Sequence, residues 1–174
     1  MDKKPTISIV AAMDENRGIG YKGKIPWHIK EDLLRFKHLT VGKTVIFGRK
    51  TYKSLLGYYQ RSGRPMPTRN TIVVSRSFGS IALSSIAQDL HYASSVEEAI
   101  KLAKKIEPVE VFISGGGEIF NKGIKYAEKL YLTIVKGRFQ ADTFFPDYSK
   151  FEKVVFEKNH TLGDIKFKFV ELSK

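Results

Sequence analysis

From Ile7 to Met13 the chain runs ISIVAAM, apolar almost without interruption. A run without polar alternation predicts a central strand covered on both faces. The next stretch, DENRGIGYKGKIP, mixes charges with Gly18, Gly20 and Gly23 and predicts a mobile loop leading to Trp27. Between Ile25 and Phe36 the period changes: Ile29, Leu33 and Phe36 recur at i, i+4 and i+7, the pattern of a helix face turned to a core. Asp32 falls on that face, whereas Lys30, Glu31, Arg35 and Lys37 are expected to look outward. An inward carboxylate is costly unless a cationic or hydrogen-bonding group meets it. Periodicity therefore leaves two readings of Asp32, a solvated boundary acid or a ligand-binding one.

Gly42 and Lys43 end that helix, and Thr44 to Phe47 reads as a strand stopping at Gly48, with RKTYKSLL after it. The segment from Gly57 to Thr68 is rich in turn residues and predicts a surface excursion. Thr71 to Ser75 is strand-like, Ser77 to Gln88 carries no readable period, and LHYA suggests a short strand. Ser95 with Glu98 three residues on has the spacing of a capping box opening a helix through SVEEAIKLAKKI. Pro108 interrupts it, VEVFIS reads as a strand running into Gly115, Gly116 and Gly117, and EIFNKGI patterns as a short helix. KLYLTIV, KVVFEK and KFKFVEL read as strands, the last two antiparallel at a sheet edge. Strands interleaved with helices predict an α/β three-layer sandwich around one mostly parallel sheet with an antiparallel C-terminal edge. With no repeat and no linker, residues 1–174 form one expected domain.

Composition narrows the chemistry. The absence of cysteine excludes disulfides, thiolate metal sites and cysteine nucleophiles, and it fits a reducing compartment, so a cytoplasmic location is expected. His28, His38, His91 and His160 show no metal-ligand spacing, so no metal is expected. ISIVAAM is too short to span a membrane. A formal charge of +12 favours an anionic partner, which could be nucleic acid, a nucleotide or a polyanionic metabolite. The lysines are scattered along the chain, and that distribution argues against a nucleic-acid-binding module.

Three strand ends suit phosphate. At Gly48, Arg49, Lys50 and Thr51 a strand gives way to a helix start, where unpaired N–H groups, the macrodipole and basic side chains favour an anion. Ser75 and Arg76 place a hydroxyl and a guanidinium at another strand end. At Gly115 to Gly117 missing side chains would let backbone approach a ligand. The last run is not a dinucleotide fingerprint, because Phe120 stands where its final glycine would be. Arg76, with no acid evident at its strand end, favours a phosphorylated ribose over a free hydroxyl. Together these residues imply an NADP-like nucleotide beside an inward acid.

The ordered pieces IG, IPW, an aspartate in a helix leading to phenylalanine, GRKTY, RPMPTRN, VVSR, GGGEIF, LYLT and ADTFFP make the chain resemble the dihydrofolate reductases of bacterial chromosomal type over nearly its whole length. The resemblance implies reduction of 7,8-dihydrofolate to tetrahydrofolate by NADPH, in a monomer without obligatory nucleic-acid or membrane partners. It implies that Asp32 binds the pterin's amino group and ring nitrogen and promotes protonation at N5, that Trp27 holds a water near it, and that Thr133 hydrogen-bonds to it. Ile25, Leu33, Phe36 and Leu55 would line the substrate pocket, and Arg69 would pair with the glutamate α-carboxylate. Ala12, Ile19 and Gly20 would flank the nicotinamide. Gly48, Arg49, Lys50 and Thr51 would take the pyrophosphate side, Ser75 and Arg76 the 2′-phosphate, and Gly115, Gly116, Gly117, Glu118, Ile119 and Phe120 the close backbone approach. The resemblance also implies a cis peptide between Gly115 and Gly116, and a lid from Asp14 to Lys24.

Four features depart from the commonest pattern of that family. Phe120 replaces a frequent tyrosine, Ser114 an apolar residue and Lys50 a frequent histidine, while Gly57 to Gly63 looks inserted. A related fold using the same cofactor, the riboflavin-pathway reductase acting on a ribosylated pyrimidine, would also explain the phosphate-binding strand ends. It leaves Trp27, Asp32 and Arg69 unexplained.

Overall fold

The apolar runs assemble side by side. In a computed structural model, which describes residues 3–77 and 89–174, they form one eight-stranded sheet. The chain order is β1 (Thr6–Asp14), β2 (Gly18–Gly20), α1 (Lys30–Thr40), β3 (Thr44–Gly48), α2 (Arg49–Ser62), β4 (Asn70–Val74), β5 (Leu90–Ala93), α3 (Val96–Ile106), β6 (Glu110–Ile113), α4 (Gly117–Gly123), β7 (Lys129–Val135), β8 (Thr143–Phe144), β9 (Lys153–Leu162) and β10 (Ile165–Ser173). In space the large sheet reads β5-β4-β3-β6-β1-β7-β10-β9. Every pairing from β5 across to β7 is parallel, and β10 and β9 close the edge antiparallel.

Alternation along the strands builds the two faces. Ile7, Ile9, Ala11 and Met13 of β1 pack with Val96, Ala99, Ile100 and Ala103 of α3 and Ile119 and Phe120 of α4. Val10, Val45, Phe47 and Val73 point the other way, onto Tyr52 and Leu56 of α2 and Phe36 and Leu39 of α1. The product is the expected three-layer sandwich. Because β1, β3, β4 and β6 run parallel, Asp14 and Gly48, which end their strands, and Ser75 and Gly115, which follow theirs, stand on one rim, where open α/β sheets bind ligands. Gly48 N donates to Gly115 O at 2.7 Å and ties two of these ends together.

Several expectations are corrected. Residues 57–62 are not a loop: α2 continues through Ser62 and stops at Gly63, whose φ of 64° gives the left-handed cap a glycine takes easily. The turn-rich connection is therefore only the short run from Gly63 to Arg69. Gly18–Gly20 of the anticipated loop pairs antiparallel with Thr143–Phe144 as a two-stranded sheet. Ser95 Oγ does accept Glu98 N at 3.1 Å, but the Glu98 carboxylate turns to Ser94, taking its N–H at 2.7 Å and its hydroxyl at 2.5 Å. Most of the unreadable stretch from Ser77 to Gln88 lies outside the described residues.

Candidate active site

Asp32 enters the site from the first turn of α1, and β7 supplies its partner. Thr133 Oγ1 donates to Asp32 Oδ1 at 2.5 Å. Burial raises the pKa of this carboxyl, while the Thr133 hydrogen bond and the Arg35 charge pull it down. In the sheet, Thr133 stands between Ala12 on β1 and Phe169 on β10. Trp27 is buried against Phe139, ring centroids 5.3 Å apart, and its indole Nε1 is enclosed without a protein acceptor. That orphaned donor fits the water-holding role expected of Trp27.

The wall beyond Asp32 is apolar. Phe36 and Leu55 are half-buried, while Leu33 and Ile25 remain exposed, Ile25 at 63%. Arg69 sits against the last residue of α1 and is only 3% exposed. Its Nε donates to Thr40 Oγ1 at 2.8 Å, its Cζ sits 4.9 Å from the Phe36 ring centroid, and both Nη atoms are buried without a hydrogen-bond acceptor. Burial pulls its pKa below the usual guanidinium range, against the raising influence of the Tyr59 phenol. A desolvated fork beside an apolar wall is suited to a planar carboxylate. Tyr59 reaches Arg69 only because α2 is extended, and reading that segment as loop concealed it.

The nucleotide side is a cleft of about 460 Å³ lined by Gly48, Arg49, Lys50, Thr51, Ser75, Arg76, Gly116, Gly117, Glu118 and Ile119. The three phosphate-suited strand ends thus open into one cavity. A groove of about 420 Å³ along α3, with Tyr126, shares none of these residues. Ser75 is buried and its hydroxyl donates to Ser77 O at 2.8 Å. Arg76 is exposed, but the expectation of no acid beside it fails: Glu118 Oε1 stands 3.2 Å from Arg76 Nη2 and 2.9 Å from Lys122 Nζ. Glu118 arrives from α4, far along the chain, so no local pattern could pair it with Arg76. Lys122 was missed for the same reason. Its hydrogen bond, then its charge, holds the Glu118 carboxyl below the usual range.

The glycines serve the protein's own packing as much as a ligand. A Cβ on Gly115, whose φ is 98°, would lie 2.9 Å from the Phe120 ring, and one on Gly117 would lie 2.6 Å from Thr143 Cγ2. The Gly115–Gly116 peptide is cis, as expected. Phe120 is buried with its ring centroid 5.1 Å from that of Phe145. Ile19 approaches Gly117, which sets the loop against the start of α4.

Two carboxylates that patterning missed anchor this loop. Asp14 accepts from Asn16 N at 2.9 Å, Gly18 N at 2.7 Å and Phe139 N at 2.8 Å. Asp142 accepts from Lys22 N at 2.9 Å, and its own N–H donates to Gly20 O at 2.9 Å. Arg35 and Glu31 are also corrected: neither side chain is fully outward, and the Arg35 side chain is 14% exposed. Among the described residues no group of acids and histidines is placed to hold a metal ion, and no helix is long and apolar enough to cross a membrane.

An α/β sandwich whose phosphate-suited strand ends line one cleft is the architecture of a nucleotide-binding class. Within it the assignment is specific, because the family model described as dihydrofolate reductase matches residues 6–174. The chain belongs to the dihydrofolate reductase family. It is 38% identical over 142 residues to dihydrofolate reductase type 3 of Salmonella typhimurium, covering 82% of this chain and 79% of that protein. With the dihydrofolate reductase of Buchnera aphidicola it shares 37% identity over 156 residues, 88% of each chain. Among solved structures, a dihydrofolate reductase from Enterococcus faecalis complexed with NADP(H) and RAB-propyl superposes with a TM-score of 0.78 at 30% identity, covering 97% of this chain and 95% of that one.

Proposed function

We propose that this protein reduces 7,8-dihydrofolate to 5,6,7,8-tetrahydrofolate at the expense of NADPH, as a cytoplasmic monomer. The observation that supports the reading is that α1 carries two unlike groups, the Asp32 carboxylate held by Thr133 in its first turn and, at its last residue Thr40, the partner of Arg69, which rests on Phe36 with both Nη atoms buried without an acceptor. A substrate with a protonatable ring at one end and a carboxylate at the other fits both.

NADPH, when bound, supplies the hydride that reaches C6 of the pterin. The chain's own residues do the remainder. Asp32 holds the pterin by its amino group and ring nitrogen and favours a proton at N5, helped by a burial that raises its proton affinity. Thr133 fixes which way the carboxylate faces. Phe36, Leu33 and Leu55 exclude water from the ring and the linker beyond it. Arg69 takes the glutamate α-carboxylate. Arg49, Lys50, Thr51, Ser75 and Arg76 hold the cofactor's phosphates, and the Gly18–Lys24 segment covers the nicotinamide side.

The test is NADPH oxidation, followed by its absorbance, with dihydrofolate as acceptor. Turnover is expected. Folded protein that ignores dihydrofolate and instead consumes NADPH with a ribosylated pyrimidine would transfer the assignment to the riboflavin-pathway chemistry.

A further inference from the structure

Behind Asp32 the sheet carries a connected set of charged groups that the proposed reaction does not use. Arg35 follows Asp32 by three residues on α1, so the two side chains share a helix face. Its Nη1 donates to Leu132 O at 3.1 Å, on the residue just before Thr133. Its Cζ lies 4.6 Å from the Phe169 ring centroid and 5.9 Å from that of Tyr131. Its Nη2 is buried without a hydrogen bond and stands 3.6 Å from Glu171 Oε1 on β10. Glu171, paired with Tyr131 in the sheet, lies 3.5 Å from Lys129 Nζ, which donates to the Tyr131 hydroxyl at 2.8 Å. Glu110 Oε1 ends the series, accepting from Tyr131 at 3.2 Å and from Ser8 Oγ at 2.5 Å.

We infer that Arg35 is a positioning residue for Asp32, and that Glu171 governs how strongly Arg35 acts. The inference rests on the assignment of Asp32 as the acid of the reaction. In a partly desolvated pocket a neighbouring cation stabilises the ionised carboxylate more than it would in water, and an anion behind that cation weakens the effect. Among the described residues, charged and titratable groups come to the pair from several elements, with Glu110 of β6 reached through Tyr131. α1 contributes Glu31 and Arg35, β7 contributes Tyr131 and Lys129, β10 contributes Glu171, and His160 of β9 lies 4.7 Å from the Phe169 ring on which Arg35 rests. Burial raises the Asp32 pKa, and the Thr133 hydrogen bond and then the Arg35 charge oppose it; burial lowers the Arg35 pKa, and the Glu171 charge opposes that.

The experiment is the pH dependence of single-turnover hydride transfer from NADPH to dihydrofolate, read for Arg35→Gln, Arg35→Lys and Glu171→Gln. Thermal melting and NADPH affinity verify that each variant is folded. A protonated acid sustains the rate, so the rate falls on the alkaline side as Asp32 ionises. Arg35→Gln removes the stabilising cation, and its alkaline limb is expected at higher pH than in the parent. Glu171→Gln unmasks the cation, and its limb is expected at lower pH. Arg35→Lys, which keeps the charge, restores the parental profile. A purely structural role would scale the rate and leave both limbs in place, and that outcome overturns the inference, as does movement of both limbs in one direction. Should Arg35→Gln fail to fold, an unmoved limb in Glu171→Gln overturns it alone. Asp32→Asn separates the two levels of argument. Parental rates in that variant undo the role given to Asp32 in the proposed reaction, whereas an impaired Asp32→Asn with unmoved limbs elsewhere undoes only this inference.

Discussion

Thr133 Oγ1 donates to Asp32 Oδ1 at 2.5 Å, joining β7 to α1 across 101 positions of sequence. This hydrogen bond favours the ionised carboxyl, so Thr133→Val, which preserves shape and removes the donor, raises the Asp32 pKa further. The alkaline limb of hydride transfer is expected at higher pH. Loss of orientation is expected to lower kcat at neutral pH by roughly tenfold, comparable to one hydrogen bond to a charged group. A pH–rate profile identical to the parent's would exclude Thr133 from the acid's control.

Asp32→Asn separates stability from activity. In the folded chain the carboxyl binds its proton more tightly than in the unfolded chain, where the value is near 3.8. Its contribution to stability is therefore fullest below about pH 4 and declines as pH rises through the raised folded value. Asparagine carries no charge to bury, so the variant is expected to melt higher than the parent at pH 7, with the gain vanishing below about pH 4. Turnover is expected to fall by roughly a hundredfold or more. Calorimetry across pH, beside a steady-state assay, measures both.

Patterning found most of the strands with α1 and α4 because burial imposes a period of two or 3.6 on apolar residues, whereas α3 was legible from its capping spacing and α2 only at its start. It placed Asp32 correctly and Arg35 wrongly for the same reason. A period reports which face a residue occupies, whereas Arg35 snorkels under its own helix to rest on Phe169. Tyr59 was hidden because Gly57 reads as a breaker, although α2 passes through it and ends only at Gly63. Glu118 beside Arg76 and Asp142 beside Lys22 are contacts between distant segments, and no local pattern encodes them.

The Arg76–Glu118 pair bears on cofactor choice. On the proposed reading, Glu118 would compete with a 2′-phosphate for Arg76 and Lys122, with which it is ion-paired. Arg76→Ala is expected to weaken NADPH binding by roughly tenfold, one charged contact, and to leave NADH nearly unchanged. Glu118→Gln frees both cations and is expected to tighten NADPH selectively. Fluorescence titration with each nucleotide reads the ratio. Equal losses for NADPH and NADH in Arg76→Ala would show that Arg76 does not read the phosphate.

Gly115 is fixed by two independent demands, a φ of 98° and a Phe120 ring that a Cβ would meet at 2.9 Å. Gly115→Ala is expected to cost about 1–3 kcal/mol, as for a residue forced into a sparsely populated backbone region with a clash. Urea unfolding gives the figure. Adding Phe120→Leu removes the ring but not the backbone strain, so it is expected to restore only part of the loss.

Arg69 is the sharpest test of substrate identity. The residue is 3% exposed, with its guanidinium tied to Thr40 by Nε at 2.8 Å and rested on Phe36, while its two Nη atoms meet no acceptor. Such a group is costly to bury unless a ligand satisfies it. Arg69→Leu should therefore leave the fold intact, because an apolar replacement removes the unsatisfied donors together with the charge. KM for dihydrofolate is expected to rise by roughly a hundredfold, the scale of a paired charge, with kcat little changed because the carboxylate lies far from the reacting ring. A dihydropterin lacking the glutamate gains nothing from Arg69 and is expected to be reduced equally by parent and variant. Tyr59→Phe, which keeps the ring and drops the hydroxyl beside Arg69, is expected to move KM for dihydrofolate by a smaller factor in the same assay. If Arg69→Leu raised KM for both substrates alike, its role would be to shape the pocket, and recognition of the tail carboxylate would have to lie elsewhere.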